Sequence, residues 1–190
     1  MRLPLLFAIT VLLISLAVDL YIGRRLKGHN IPQRVHAAIA ASFTILWIAI
    51  ICVPKRMGDD GFMIHVMWAL YAYWSVYVPK YIAVIFDLAG AIPHMWHKAR
   101  IKLFSYIGAA IGFLIFGAMW WGALAGRFHI DINQVNISIP DLPAGMRGLR
   151  IVQISDWHVG SYGTDTAFVS RTIDSINALQ PDLIVFTGDI

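Results

Sequence analysis

Residues 149–190 read LRIVQISDWHVGSYGTDTAFVSRTIDSINALQPDLIVFTGDI, and the fold turns on this stretch. It opens with a short, nearly continuous apolar run at 149–154, the pattern of a central strand buried on both faces. Over residues 166–179 the apolar positions Phe168, Val169, Ile173, Ile176 and Leu179 recur at helical spacing, with Asp165 placed to cap the start. Pro181-Asp182 then breaks the chain, and 183–186 is a second apolar strand. Strand, helix and strand within about forty residues make a βαβ unit, whose two strands must run parallel.

Each strand ends in a polar cluster: Ser155-Asp156-Trp157-His158 after the first, Thr187-Gly188-Asp189 after the second. Ligands of open α/β sheets bind at the carboxyl ends of strands. If the strands are neighbours, Asp156 and Asp189 leave them side by side, about 5 Å apart. Two carboxylates so close repel unless a proton or cation lies between them. In extended chain His158, two residues past Asp156, points to the same side. Carboxylate oxygens with an imidazole form a mixed donor set that suits manganese, iron or zinc. Asp-x-His or Gly-Asp alone occurs constantly by chance. The information lies in their joint placement at two strand tips.

Upstream the composition changes. The chain is 58% hydrophobic and 14% charged, with a mean hydropathy of +0.67, against about 25% charged in an average soluble domain. Four apolar runs account for this, at about 3–22, 35–53, 62–78 with an extension to 92, and 103–125, each long enough to cross ~30 Å of hydrocarbon. Residues 1–127 are therefore expected to form a membrane domain of four transmembrane helices, and 128–190 the beginning of an α/β domain. The first run is read as a retained helix and not a signal peptide, because Arg24, Arg25 and Lys27 follow the apolar stretch and no small-residue cleavage site precedes them. Pro79 and Lys80 interrupt the third run, so its helix is expected to reach Val78 and then continue as a tilted extension or lie in the interface. Lys80 and Asp87, two turns apart, are expected near the headgroups, with Lys80 snorkelling. Gly108 and Gly112 form one GxxxG and Gly122 and Gly126 another, each able to admit a neighbouring helix. Trp47, Trp96, Trp120 and Trp121 fall near span ends, as an aromatic belt would. Cys52, the single cysteine, is expected to be a small buried hydrophobe. Past Arg127, the near-alternation of Ile130, Ile132, Val135, Ile137 and Ile139 reads as a further strand.

Twelve Lys/Arg stand against four Asp in residues 1–129, and three against seven in 130–190. The basic pI thus belongs to the membrane half and is no argument for nucleic acid as a partner. The loops after the first and third spans carry seven basic residues, and the other side carries four. The positive-inside rule then puts those loops in the cytoplasm and both termini outside.

"LRIVQISDWHVGSY" followed by "PDLIVFTGDI" resembles the opening of the calcineurin-like metallophosphoesterases, above all their membrane-anchored bacterial branch, in which several helices precede the catalytic domain. The resemblance implies a four-layer α/β domain, two divalent metal ions (Mn, Fe or Zn), and hydrolysis of a phosphomonoester, phosphodiester or pyrophosphate by a two-metal mechanism. It implies that Asp156 and His158 bind the first metal and that Asp189 bridges both. Trp157 stands where the family carries Ile, Leu or Thr, at a position that is not a ligand. The family's leaving-group histidine and remaining ligands follow later in its sequence. The 190 residues are accordingly expected to be an inactive fragment of an enzyme in the bacterial cytoplasmic membrane, with its catalytic domain on the periplasmic side and a phosphorylated, lipid-linked substrate. The competing expectation is a membrane interaction or transport protein with a vestigial soluble end.

Overall fold

The computed structural model describes residues 5–52, 60–96, 99–158 and 166–188. They divide into two compact units, residues 1–124 and 125–190. In the first, α1 (Leu5–Arg25), α2 (Asn30–Cys52), α3 (Asp60–Ala91) and α4 (Lys102–Leu124) are long and apolar enough to cross a membrane. Large apolar side chains on their outer faces, among them Leu6, Leu13, Phe113 and Leu114, lie uncovered by protein. Helices apolar all round in this way belong in lipid.

The inner faces hold an aromatic core. Trp47 is fully buried, stacks on Tyr73 at 4.3 Å between ring centroids, and donates its indole N–H to the Ala8 carbonyl at 3.0 Å. Tyr73 stacks in turn on Tyr77 at 4.4 Å. Trp47 is therefore a core residue and not part of an interfacial belt, because its N–H finds a backbone acceptor inside the bundle. Trp96 and Trp121 do lie exposed, and Trp120 stacks on Trp68. Cys52 is exposed at the last residue of α2, contrary to the buried position expected for it.

Helix α3 runs unbroken through Pro79. A proline costs a helix one hydrogen bond and crowds the preceding turn, and neighbouring helices offset this in membrane bundles. Here α4 lies against that turn: a Cβ added to Gly112 would meet the Pro79 carbonyl oxygen at 3.0 Å, and one on Gly108 would meet Phe86 Cβ at 2.6 Å. The first GxxxG is thus the seam along which α4 approaches α3, and both its glycines are buried. Around Gly122 the space is open. Gly108→Val is expected to destabilise the bundle by about 2 kcal/mol through overpacking. Gly122→Val should change it by less than about 0.5 kcal/mol. Denaturation in detergent, followed by tryptophan fluorescence, compares the two.

Lys80 does not snorkel. Its Nζ lies 2.8 Å from Asp19 Oδ1 on α1, in a pair that is almost wholly buried. The Tyr77 hydroxyl donates to Asp19 Oδ2 at 2.6 Å, and His36 of α2 lies 3.0 Å from the Asp19 carbonyl oxygen. Through its carboxylate and its backbone carbonyl, Asp19 thereby ties three helices together.

In the second unit β1 (Ile151–Ile154) pairs in parallel with β2 (Leu183–Phe186), with Ile151 opposite Leu183 and Ile154 opposite Phe186. Between them in sequence lies α5 (Ala167–Ala178), whose Phe168 is buried edge-on against Phe128 at 5.6 Å. Thr166 occupies the N-cap position, and Asp165 lies outside the described residues. Two corrections follow. Residues 129–139 form no strand, and Ile132, Val135, Ile137 and Ile139 are exposed. Alternation alone does not make a strand; a ladder partner is needed, and the sheet among the described residues has two strands only. Nor are β1 and β2 buried: Ile151, Leu183 and Ile184 are each about half exposed, since no further strand of the described chain flanks them.

Candidate functional site

Pairing between the strands continues beyond their assigned ends. The Thr187 N–H donates to the Ile154 carbonyl at 2.9 Å, and the Asp156 N–H donates to the Gly188 carbonyl at 3.0 Å. The Gln153 side-chain amide reaches Thr187 Oγ1 at 3.3 Å. These bonds zip the two polar clusters together, so that residue 156 lies directly beside residue 188. Asp189, next in sequence, lies outside the described residues, as do residues 159–165.

The backbone at this tip is unusual. Asp156 has φ 51° and His158 φ 43°, both left-handed, and Gly188 has φ 113°. Left-handed backbone is uncommon for residues other than glycine, although Asp and His are enriched in it. Each such residue costs about 1–3 kcal/mol unless its surroundings impose the conformation, and such residues cluster at ligand sites. Here the Asp156 N–H bond to Gly188 fixes the first of them. Gly188 is the residue type whose missing Cβ permits its own turn. Asp156 and His158 are both exposed, while the indole Nε1 of Trp157 between them is buried without a hydrogen-bond partner among the described residues.

The donor set is compatible with a divalent cation: one carboxylate and one imidazole, two residues apart, on an exposed strand tip whose partner strand runs directly into another Asp. Among the described residues no three His, Cys, Asp or Glu side chains gather into a metal cluster.

A second polar assembly lies in the membrane unit, and the sequence reading did not anticipate it. Asp87 of α3 accepts from Tyr21 at 2.5 Å and also from Ser105, and pairs with Arg100 and, at 3.4 Å, with Arg25. Asp87 and Lys80 thus have separate partners. The signal available in the sequence was the rule that a charge inside an apolar run must find a counter-charge. Applied to Asp19 in the first span, it demands a basic residue from another helix.

Comparison with known proteins gives the following. Residues 1–127 match a family model described as "Probable Calcineurin-like phosphoesterase, transmembrane domain". A UDP-2,3-diacylglucosamine pyrophosphatase, LpxG, of Chlamydia trachomatis is 43% identical over 60 residues, 32% of this chain and 18% of that protein. The metallophosphoesterase YkuE of Bacillus subtilis is 39% identical over 87 residues, 40% of this chain and 30% of its own. A transmembrane protein with a metallophosphoesterase domain from Danio rerio is 34% identical over 59 residues, 31% of this chain and 13% of its own. Each match spans less than a third of the relative's length. No solved structure matches. With two thirds of its length matched by that model, the chain belongs to the calcineurin-like phosphoesterases that carry a four-helix transmembrane domain.

Proposed function

We propose that this protein is the membrane-bound part of a metal-dependent phosphoesterase, and that Asp156, His158 and Asp189 are its first metal ligands. The observation that carries the reading is the parallel pairing of β1 with β2, extended by the Asp156–Gly188 bond. Asp156 and Gly188, from segments more than thirty residues apart, are thereby brought to one sheet edge, and Asp189 follows Gly188 in sequence. Divalent cations held there would polarise a phosphoryl group and lower the pKa of a water. The chain's own part is to place carboxylates and an imidazole on fixed backbone, so that little reorganisation is needed as charge develops. The strained left-handed turn supports this, because it holds Asp156 and His158 in conformations that a plain loop would abandon.

Membrane anchoring, together with the activity in the name of the chlamydial relative, favours a substrate with a phosphoester or pyrophosphate attached to a lipid. The excess of basic residues in the loops after α1 and α3 favours a phosphoesterase domain on the side opposite those loops. The transport alternative has one observation in its favour, the buried Asp19–Lys80 pair. That carboxylate is engaged on both oxygens by Lys80 and Tyr77, as a structural tie requires.

The test is hydrolysis by the full-length gene product in detergent, with manganese and either a chromogenic phosphodiester or UDP-2,3-diacylglucosamine. Turnover that disappears with a chelator and returns with manganese is expected. Turnover indifferent to chelator would remove the metal from the proposal, and no turnover on any phosphoester would remove the enzyme.

A further inference from the structure

The geometry points to a binding site for an anionic phospholipid within the membrane unit, at the end of the bundle where α1 stops and α4 begins. It does not rest on the phosphoesterase reading. A cleft of about 230 Å3 opens there between α1, α3 and α4. Ile22 of α1, Leu26 in the turn that follows it and Ala83 of α3 give it an apolar wall, and Arg25, Asp87 and Ser105 line it with polar groups.

The charge at that end does not balance. Asp87 is one carboxylate facing two guanidiniums, Arg25 and Arg100, and the other groups packed on it, Tyr21 and Ser105, are neutral hydroxyls. Arg100 is turned into the cluster: its Nη2 serves Tyr21, the Asp87 carbonyl and the Asp87 carboxylate, and its Nε is buried with no hydrogen-bond partner among the described residues. Arg25 is not so engaged. Only its Nε approaches Asp87, at 3.4 Å, while its side chain is half exposed and makes no other polar contact among the described residues. A guanidinium offers five donors in a planar fork suited to phosphate oxygens. Here the unused side of that fork belongs to a residue that lines a mostly apolar cleft, at the end of a helix long and apolar enough to cross a membrane.

The two chemistries together select the ligand. An inorganic phosphate would leave the apolar wall of Ile22, Leu26 and Ala83 uncovered. A zwitterionic lipid would bring its own cation to a place that already holds an excess of positive charge. A lipid with a net negative phosphate satisfies both, with its head at Arg25 and the first part of an acyl chain along the wall. At this volume the cleft is smaller than the usual ~300–1,000 Å3 of a small-molecule pocket, which fits a chain segment and not a whole ligand. Basic pockets between membrane helices commonly take such headgroups.

The experiment is native mass spectrometry of the intact chain, released from neutral detergent with equimolar phosphatidylglycerol and phosphatidylcholine of matched acyl chains. Phosphatidylglycerol should be retained about fivefold over phosphatidylcholine, the scale of one basic group near an anionic lipid. Arg25→Gln should bring that ratio close to one. Arg24→Gln, one residue away and exposed but outside the cleft, should leave it unchanged. Ile22→Trp fills the cleft without altering charge and should also lower retention, so the test survives if Arg25→Gln loosens the bundle. Equal retention of the two lipids overturns the proposal. So does an equal loss in Arg24→Gln and Arg25→Gln, which means general surface charge, or full competition by soluble glycerol phosphate, which means a free-phosphate site.

Discussion

Lys80→Ala should destabilise the membrane bundle by about 3–5 kcal/mol, the usual consequence of removing one partner from a buried ion pair. The size follows from what is left behind. Asp19 is only 7% exposed. Without Lys80 its carboxylate keeps the Tyr77 hydroxyl on Oδ2 but loses the cation on Oδ1. An uncompensated charge among apolar helices is the costly outcome, far more so than the absence of the pair. The double variant Asp19→Asn/Lys80→Met should therefore recover more than half of the loss, because Asn still accepts from Tyr77 and Met replaces the lysine stem with apolar volume. Equilibrium denaturation in detergent, read by tryptophan fluorescence, reports it directly, since Trp47 stacks on Tyr73 one turn from Tyr77. Added salt should hardly alter the result, because buried pairs escape screening. A loss below about 1 kcal/mol for Lys80→Ala would put the pair in the class of solvated surface bridges and end its role as the tie between α1 and α3.

The parts of this molecule that were legible in its sequence are those set by local pattern. Four long apolar runs give four helices because backbone groups in lipid have no other way to be satisfied. The stretch from Leu149 to Phe186 gives strand, helix and parallel strand because apolar runs of four and a helical repeat between them leave little choice. What depends on partners far along the chain was hidden. Asp19 meets Lys80 across 61 positions, and no periodicity announces which basic residue of which helix it finds. The alternation at 130–139 shows the same limit from the other side, since a correct local pattern remained irregular chain where no ladder stood beside it. Of the candidate site, adjacency of the two strand tips followed from the βαβ pattern. The left-handed turns at Asp156 and His158 did not, because neither residue type requires positive φ and only the surrounding bonds impose it.

Asp156→Asn and Asp189→Asn, each made in the full-length gene product, should lower kcat/KM for a phosphoester by more than about a hundredfold. Even partners one shell out from a metal typically cost 10–100-fold when lost, so a direct ligand should cost more. Asparagine is the informative replacement at 156. It tolerates left-handed backbone as aspartate does, so φ 51° and the N–H bond to Gly188 at 3.0 Å can persist while the negative charge is removed. Alanine there would confound the loss of a ligand with backbone strain. The exposed Asp174 on α5 is the control: Asp174→Asn removes a carboxylate from the same unit, away from the strand tips, and should keep activity within about twofold. Metal content provides a readout independent of turnover, with Asp156→Asn and Asp189→Asn each binding less manganese per chain at equilibrium than the unaltered protein, because anionic oxygen donors dominate the affinity of such sites. Should Asp156→Asn keep both its manganese and its activity, the cation is not held at this strand tip, and the left-handed turn is a structural feature without a catalytic purpose.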